Sequence, residues 1–146
     1  MTRIDFYLLT RAHPNGKLMF AARLAGKIHR LGQRTYIHAQ HEAQAKALDD
    51  LLWTFDQSSF IPHKMNGQAA ATEPGISAVI GFRPPCDFNY NVLISLLEDE
   101  IPDYWREFER VAEVVGPDPK DKQCARDRFR RYREFGCNVD THEINL

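Results

Sequence analysis

The chain has 146 residues, of which 43% are hydrophobic, and its 19 basic and 20 acidic residues give a formal net charge of -1. This length and apolar content fit one domain with a single core over residues 1–146. The near-zero charge argues against a protein that coats nucleic acid through its overall electrostatic field, because that mode needs a surplus of lysine and arginine. No window approaches the roughly 18 continuous apolar residues of a membrane span, and the first residues lack a signal-peptide pattern. We therefore expect a cytoplasmic protein.

The cysteines are Cys86, Cys124 and Cys137, an odd number without metal-ligand spacing. Neither a disulfide framework nor a zinc ribbon is therefore expected, and the thiols should be reduced. Cys124 could pair with His63 or His142 as a thiol nucleophile, but its helical spacing among core-like residues favours a buried, inert thiol. We expect no metal and no cofactor.

The first third of the chain alternates strand and helix patterns. Residues 4–9 are a run of β-branched, aromatic and aliphatic side chains that predicts a buried strand, and residues 34–39 predict a second strand. Apolar residues recur at helical spacing over 18–31, where Gly32 supplies a left-handed stop, and again over 42–53. Alternation of this kind is typical of a parallel α/β sheet.

The rest of the chain continues this pattern less regularly. Residues 66–75 are small and polar, which predicts a mobile loop. The later elements that we expect are strands at 76–82 and 91–97, a short helix running into a strand at 103–115, a helix at 119–135, and a last edge strand at 139–144.

A segment near the N-terminus resembles part of a nucleotide-binding motif. Asn15-Gly16-Lys17-Leu18 is similar to the end of a phosphate-binding loop, but Arg11 and Leu18 stand where that loop needs glycine and serine or threonine. Without those residues the loop can neither turn its amides onto a phosphate nor hold magnesium. An ordinary loop with a solvated lysine is therefore favoured.

Two histidines have a spacing that metal sites use. His38 and His41 lie at a strand-to-helix junction, which can present two ligands to a metal ion. No third ligand is evident nearby, so a surface pair of histidines is favoured.

Charge is unevenly distributed along the chain. Residues 94–113 carry seven acidic side chains against two basic ones, a net charge of -5, whereas residues 118–133 carry seven basic against three acidic ones, a net charge of +4. The residues of the second stretch that fall within roughly 100° of arc on an ideal helix are Lys122, Arg126, Phe129, Arg130 and Arg133. One interpretation is a solvated basic stripe. The other is a site for a carboxylate together with an apolar side chain, because arginine binds carboxylates in a bidentate manner.

The segment from residue 53 to residue 63 concentrates bulky side chains among turn residues. These side chains are Trp53, Phe55, Phe60, Pro62 and His63. Apolar residues in a loop must pack either into the core or against a partner. Composition alone favours the core, and the partner interpretation stays open.

Three segments of the sequence carry a resemblance to a known family. They are Phe6-Tyr7-Leu8-Leu9, the stretch from Leu52-Trp53 through Ser59-Phe60-Ile61-Pro62-His63, and Ala125-Arg126-Asp127-Arg128-Phe129-Arg130-Arg131-Tyr132-Arg133 followed by Gly136. Their order and content resemble the chi subunit of DNA polymerase III over essentially the whole chain. The spacing from Trp53 to the Ser-Phe-x-Pro-His motif is the most specific of these features.

The resemblance implies a single-domain α/β fold, a three-layer sheet with helices on both faces and Rossmann-like topology without a phosphate-binding loop. It also implies binding faces on opposite sides of the sheet. One face would bind the acidic C-terminal tail of single-stranded-DNA-binding protein through Lys122, Arg126, Phe129, Arg130 and Val115. The other would bind the psi subunit, or a helicase, through Trp53, Phe60, Pro62 and His63.

The function implied by the resemblance is that of a non-catalytic accessory subunit in the clamp-loader assembly of the bacterial DNA polymerase III holoenzyme. Such a subunit would meet DNA only indirectly. The family commonly has tyrosine where Phe129 stands, so only ring packing is expected from that residue. The alternative is an enzyme of nucleotide or nucleic-acid metabolism on a Rossmann-like fold, which would need a phosphate or metal site that the sequence does not reveal.

Overall fold

One parallel sheet organises the residues that the computed structural model describes, which are 2–54, 61–67 and 75–145. Its strands are β1 (Arg3–Leu9), β2 (Thr35–His38), β3 (His63–Met65), β4 (Ala78–Gly81), β5 (Val92–Ser95), β6 (Arg110–Val115) and β7 (Val139–Ile144). They lie in the order β3-β4-β2-β5-β6-β1-β7, and every neighbouring pair is parallel.

The helices of the described ranges are α1 (Gly16–Arg30), α2 (Glu42–Thr54) and α3 (Pro119–Glu134), with a short 3-10 turn at Trp105–Glu107. Gly32 and Gly136 follow α1 and α3 with φ angles of 73° and 87°, the left-handed conformation that ends a helix without a Cβ clash. The carboxylate of Asp118 caps α3 by accepting a hydrogen bond from the backbone amide of Lys120 at 2.9 Å. None of these helices is long and apolar enough to span a membrane.

The helices and the 3-10 turn cover both faces of the sheet. Strands β2, β4 and β5 are therefore buried along their whole length. On one face, α1 and α2 contribute Phe20, Leu24 and Leu48 to a core against the sheet. On the other face, Trp105 of the 3-10 turn and Tyr132 of α3 pack against the opposite side of the same strands. The predicted three-layer, Rossmann-like α/β architecture is therefore confirmed.

Most of the predicted elements are present, with ends shifted by a few residues. The ambiguous stretch 103–115 is a 3-10 turn followed by β6, as predicted. Strand β3 is not predicted by the sequence pattern, because three residues after a proline are too few to show alternation. The predicted mobile loop at 66–75 falls largely on residues 68–74, which lie outside the described ranges, as do residues 55–60.

Buried Asp5 of β1 holds the edge strand β7 in place. Its carboxylate accepts a hydrogen bond from Arg110 of β6 at 2.8 Å, and it lies 3.0 Å from the ring nitrogen Nε2 of His142 in β7 and 3.3 Å from Arg3. Burial opposes ionisation, but His142, Arg110 and Arg3 together outweigh it and hold the pKa of Asp5 below its usual range. This charge cluster links three neighbouring strands at the edge of the sheet.

Candidate functional site

A groove runs between helix α3 and the sheet edge formed by β1 and β7. It has a volume of about 390 Å³ and is lined by Phe6, Leu8, Lys122, Ala125, Arg126, Phe129 and Thr141. Phe6 and Leu8 alternate along β1 and lie on the α3 side of the sheet, where the ring centroid of Phe129 is 5.7 Å from that of Phe6. The groove therefore has an apolar floor shared by strand and helix.

Two cations stand at the rim of this groove. Lys122 and Arg126 are exposed and lie one helical turn apart. Neither forms an ion pair with a described residue, and the guanidinium of Arg126 donates a hydrogen bond to the side chain of Gln123 at 3.4 Å. An apolar floor beside unpaired cations suits a ligand that carries an apolar group and a carboxylate.

A second, more open cleft continues the cationic face towards the C-terminal end of α3. It is lined by Arg126, Phe129, Arg130, Arg133 and Glu134. The guanidinium carbon of Arg133 lies 6.0 Å from the ring centroid of Phe129. The groove and this cleft share Arg126 and Phe129, so one cationic face extends along about three turns of the helix.

Val115 is a correction to the expected site. The resemblance implies that Val115 contributes to tail binding, but this residue is 0% exposed and pairs with Leu8 inside the sheet. The apolar surface of the strands comes instead from Phe6 and Leu8, beside which Thr141 completes the lining, and helical spacing does not single out any of the three. The pairing of β1 with β7 brings these residues beside α3. The alternating apolar pattern of β1 is the signal that could have indicated Phe6 and Leu8.

A buried ion pair beneath α3 fixes the helix on the sheet. Nε of Arg128 lies 3.3 Å from Oε1 of Glu113, Tyr132 donates a hydrogen bond to Oε2 of Glu113 at 2.8 Å, and Arg128 also donates to the backbone carbonyl of Glu98. Burial raises the pKa of Glu113, and the nearby Arg128 acts against that rise. Because Arg128 is held against the sheet, Arg126 is presented on the exposed side of the helix.

Replacing Arg128 with alanine is expected to lower the free energy of unfolding by about 3 to 5 kcal/mol, because the change leaves a buried carboxylate without its counter-ion. Arg128 is 1% exposed and Glu113 is 0% exposed, so water cannot take over the lost contact. Chemical denaturation at neutral pH measures the effect. Arg131→Ala, on the exposed side of the same helix, is the matched control and should change stability by about 0.5 kcal/mol or less. Equal stability of the two variants would contradict this role.

In the segment that resembles a phosphate-binding loop, Lys17 forms ion pairs with carboxylates of the protein itself. Nζ of Lys17 lies 2.8 Å from Oδ2 of Asp121 and 3.4 Å from Oε1 of Glu98. The backbone amide of Gly116 donates to the same Asp121 oxygen at 2.8 Å. The lysine ammonium that a phosphate would need therefore links α1 to α3, which favours a structural role for Lys17.

The histidine and cysteine candidates belong to no metal-binding cluster within the described ranges. His38 was expected on the surface beside His41, but it is the last residue of a central strand, is 6% exposed, and stacks on Tyr104 at 5.7 Å between ring centroids. Burial lowers the pKa of His38. His41 is exposed, and its Nδ1 accepts a hydrogen bond from the backbone amide of Gln44 at 3.1 Å. Cys124 is half-buried rather than fully buried.

A second candidate surface lies at the end of α2, on the sheet face opposite α3. Trp53 is 56% exposed, and its ring packs edge-on against that of His63 at 4.9 Å. His63 itself is 3% exposed, and its Nε2 lies 3.2 Å from Oδ1 of Asp49, so it supports Trp53 from below. Pro62 is half-buried. Phe60, expected on the same surface, lies outside the described residues.

Comparison of the sequence with known proteins identifies the family of this chain. The family model for the DNA polymerase III chi subunit, HolC, matches residues 1–140. The chain is 40% identical over 144 residues to the DNA polymerase III subunit chi of Pseudomonas aeruginosa, an alignment that covers 99% of this chain and 98% of that protein. It is 31% identical over 140 residues to the subunit chi of Haemophilus influenzae, with 96% of each chain covered.

A more distant relative and a solved structure extend this picture. The DNA polymerase III subunit chi of Escherichia coli is 29% identical over 118 residues, which cover 81% of this chain and 79% of that one. The crystal structure of T4 UvsW superposes with a TM-score of 0.71 at 12% identity, over 99% of this chain and 42% of that chain, and so shows a shared fold alone. The homologues support an accessory subunit of DNA replication. Since the family model and two relatives above 30% identity each span nearly the whole sequence, the chain belongs to the DNA polymerase III chi subunit family.

Proposed function

We propose that this chain is a non-catalytic accessory subunit of the clamp-loader assembly of DNA polymerase III. Its α3 groove binds the acidic C-terminal tail of single-stranded-DNA-binding protein, and its Trp53 surface binds the psi subunit or a helicase. Membership of the family supplies the replication context. The observation that carries the proposal is the apolar groove on α3, whose rim cations Lys122 and Arg126 form no ion pair with a described residue.

The groove matches a peptide end that has an apolar last side chain and a free carboxylate. Phe6, Leu8 and Phe129 supply the apolar surface for the side chain, and Phe129 acts through ring packing because it lacks a hydroxyl group. Arg126 and Lys122 stand beside that surface, where a guanidinium can hold a carboxylate through two hydrogen bonds. A terminal phenylalanine fits both requirements.

Acidic residues that precede the end of the tail have their own complement on α3. Arg130 and Arg133 line the cleft that continues the groove, and residues 118–133 carry a net charge of +4. Exposed charges of this kind attract an acidic peptide and are screened by salt. The affinity of the complex should therefore fall as the ionic strength rises.

The Trp53 surface supports the second interaction. A tryptophan that is 56% exposed at the end of a helix is the type of side chain that carries much of the binding energy of an interface. Its ring is fixed from below by His63, so less side-chain freedom is lost on binding. Because α2 and α3 lie on opposite faces of the sheet, the two partners do not compete for the same surface.

The enzyme alternative lacks a site among the described residues. Lys17 is engaged by Asp121 and Glu98, and His38 is buried against Tyr104. Neither arrangement offers a phosphate or a metal ion a set of free ligands. These contacts favour the adaptor proposal over nucleotide chemistry.

Thermal unfolding in the presence of each candidate ligand separates the two functions. A peptide copying the acidic tail, present at about a hundredfold excess over its dissociation constant, should stabilise the chain by about 2.7 kcal/mol through mass action, whereas ATP with magnesium should have no effect. The same peptide with an amidated C-terminus is the control and should stabilise the protein less. Stabilisation by the nucleotide and not by the free-acid peptide would reject the adaptor proposal.

A further inference from the structure

Helix α1 carries a cationic face that neither the fold nor the α3 groove uses. Arg23, Lys27 and Arg30 are exposed and fall within about 60° of arc on an ideal helix. The helix contains no aspartate or glutamate, and none of the three cations forms an ion pair with a described residue. Their opposite side is the apolar stripe of Ala21, Ala25 and Ile28, which packs on the sheet.

A structural explanation accounts for only part of this face. Lysine and arginine in the last turn of a helix interact favourably with its C-terminal carbonyl groups, and Lys27 and Arg30 are placed for that role. Arg23 lies about two turns before the end of α1, where this interaction has faded. Interaction with the helix terminus therefore explains Lys27 and Arg30 but does not explain Arg23.

Exposed apolar side chains adjoin the cationic face. Leu31, directly after α1, is 63% exposed, and Trp53, in the last turn of α2, is 56% exposed. Both helices follow a strand and lead back to the start of the next one, so in a parallel sheet their C-terminal ends lie at the same end of the molecule. α1 and α2 also pack directly against each other. Leu31 thus extends the Trp53 surface towards the cations of α1.

We propose that Arg23, Lys27, Arg30 and Leu31 form one docking surface with Trp53, and that its ligand is an acidic, amphipathic segment of the second partner protein. This inference rests on the proposed function, since it describes the chemistry of the partner that the Trp53 surface binds. The cations complement carboxylates, and the two exposed apolar side chains complement one hydrophobic stripe. About 12 Å separates Arg23 from Leu31 along the helix axis, a length that two to three turns of a partner helix cover.

A protein ligand is favoured over nucleic acid by the residues themselves. The aliphatic side chain of Leu31 offers no ring on which a base can stack, and the chain as a whole has a net charge of -1. Phosphate binding by the three cations, even with a base stacked on Trp53, would leave the exposed side chain of Leu31 unused. Binding of single-stranded DNA by α1 is therefore the competing outcome in the test below.

Carbodiimide cross-linking tests the contact directly, since it joins a lysine amine to a carboxylate with no spacer. The sample is the complex of this chain with its psi subunit or helicase, and mass spectrometry locates the bonds. Lys27 should join to aspartate or glutamate in a partner segment that also contains apolar residues. Lys46 is the matched control, because it is an exposed lysine of α2 that already pairs with Glu42 at 3.1 Å. Cross-links from Lys46 but not from Lys27 would overturn the proposal.

Charge reversal gives the quantitative test. The variant Arg23→Glu/Lys27→Glu/Arg30→Glu should bind the partner about tenfold more weakly or worse at physiological salt, and the difference should shrink at about 1 M salt, where exposed charges are screened. The control with the same net charge combines Arg11→Glu, Lys120→Glu and Arg131→Glu, which alters exposed cations away from α1 and α2. Equal affinity of the two triple variants would overturn the proposal.

The outcomes separate this inference from the proposed function. If Trp53→Ala loses the partner and the α1 variant keeps it, the second binding surface stands and the α1 inference fails. If Trp53→Ala keeps the partner, the proposed surface itself is wrong. A fluorescent oligonucleotide is titrated in parallel, and loss of DNA binding without loss of partner binding in the α1 variant would assign the face to nucleic acid and reject the protein ligand.

Discussion

Replacing Arg126 with alanine is expected to weaken binding of the acidic tail peptide about tenfold to a hundredfold, because a hydrogen bond to a charged group contributes roughly 1.5 to 3 kcal/mol. Arg126 lies at the rim of the groove, one turn from Lys122 and one turn from Arg130, and is exposed. Its removal should therefore leave the free energy of unfolding within about 0.5 kcal/mol of the wild-type value. Isothermal titration and chemical denaturation of the same samples measure the two quantities.

Arg131 provides the matched control for this experiment. It has the same charge, lies on the same helix and is exposed, but it lines neither the groove nor the adjoining cleft. Arg131→Ala should reduce affinity only through the small change in net charge. If both variants bind the peptide equally well, the cations of α3 act as a diffuse field and the groove is not a specific site for a carboxylate.

Trp53→Ala is expected to weaken capture of the psi subunit or helicase by about 2 kcal/mol or more, roughly thirtyfold, because exposed tryptophans that become buried at an interface often dominate its energy. The side chain is 56% exposed and packs edge-on against His63, so the fold should tolerate its loss. Tail-peptide affinity should be unchanged, since the α3 groove lies on the other face of the sheet. Surface plasmon resonance with the purified partner provides the measurement.

Phe135→Ala is a suitable control for that variant. Phe135 is another exposed aromatic residue, 46% exposed, but it stacks on Trp105 at the end of α3. Its replacement should leave capture of the second partner intact. A loss of partner binding shared equally by the two variants would point to general loss of surface hydrophobicity and would remove Trp53 from its assigned role.

Local patterns in the sequence predict most of the fold. The helix at 119–135 follows from a proline that can open a helix and from Gly136 that can end one, and the structure places α3 at Pro119–Glu134. Such signals depend only on residues a few positions apart. Strand β3 has three residues and follows Pro62, so it carries no alternation to detect. Its identity as a strand depends on pairing with β4, which is a contact between distant parts of the chain.

The same distinction explains which groove residues the sequence predicts. Lys122, Arg126 and Phe129 share one side of a helix, and that relation follows from helical geometry alone. Phe6 and Thr141 are more than a hundred residues apart and meet only because β7 pairs with β1. The error at Val115 has the same origin, since its burial depends on where β6 lies in the sheet. The contact of His63 with Trp53 likewise joins β3 to a neighbouring helix, so only the folded structure shows that His63 lies beneath that ring.

The most direct test of the central claim is a double-mutant cycle measured by isothermal titration. It combines wild-type protein and Arg126→Ala with the tail peptide as a free acid and as a C-terminal amide. If the guanidinium holds the terminal carboxylate, each single change weakens binding, and the two together cost less than the sum of the separate losses, because they remove one contact. Additive losses, or equal affinity of wild type and Arg126→Ala for the free-acid peptide, would contradict the claim that this groove binds the end of an acidic tail.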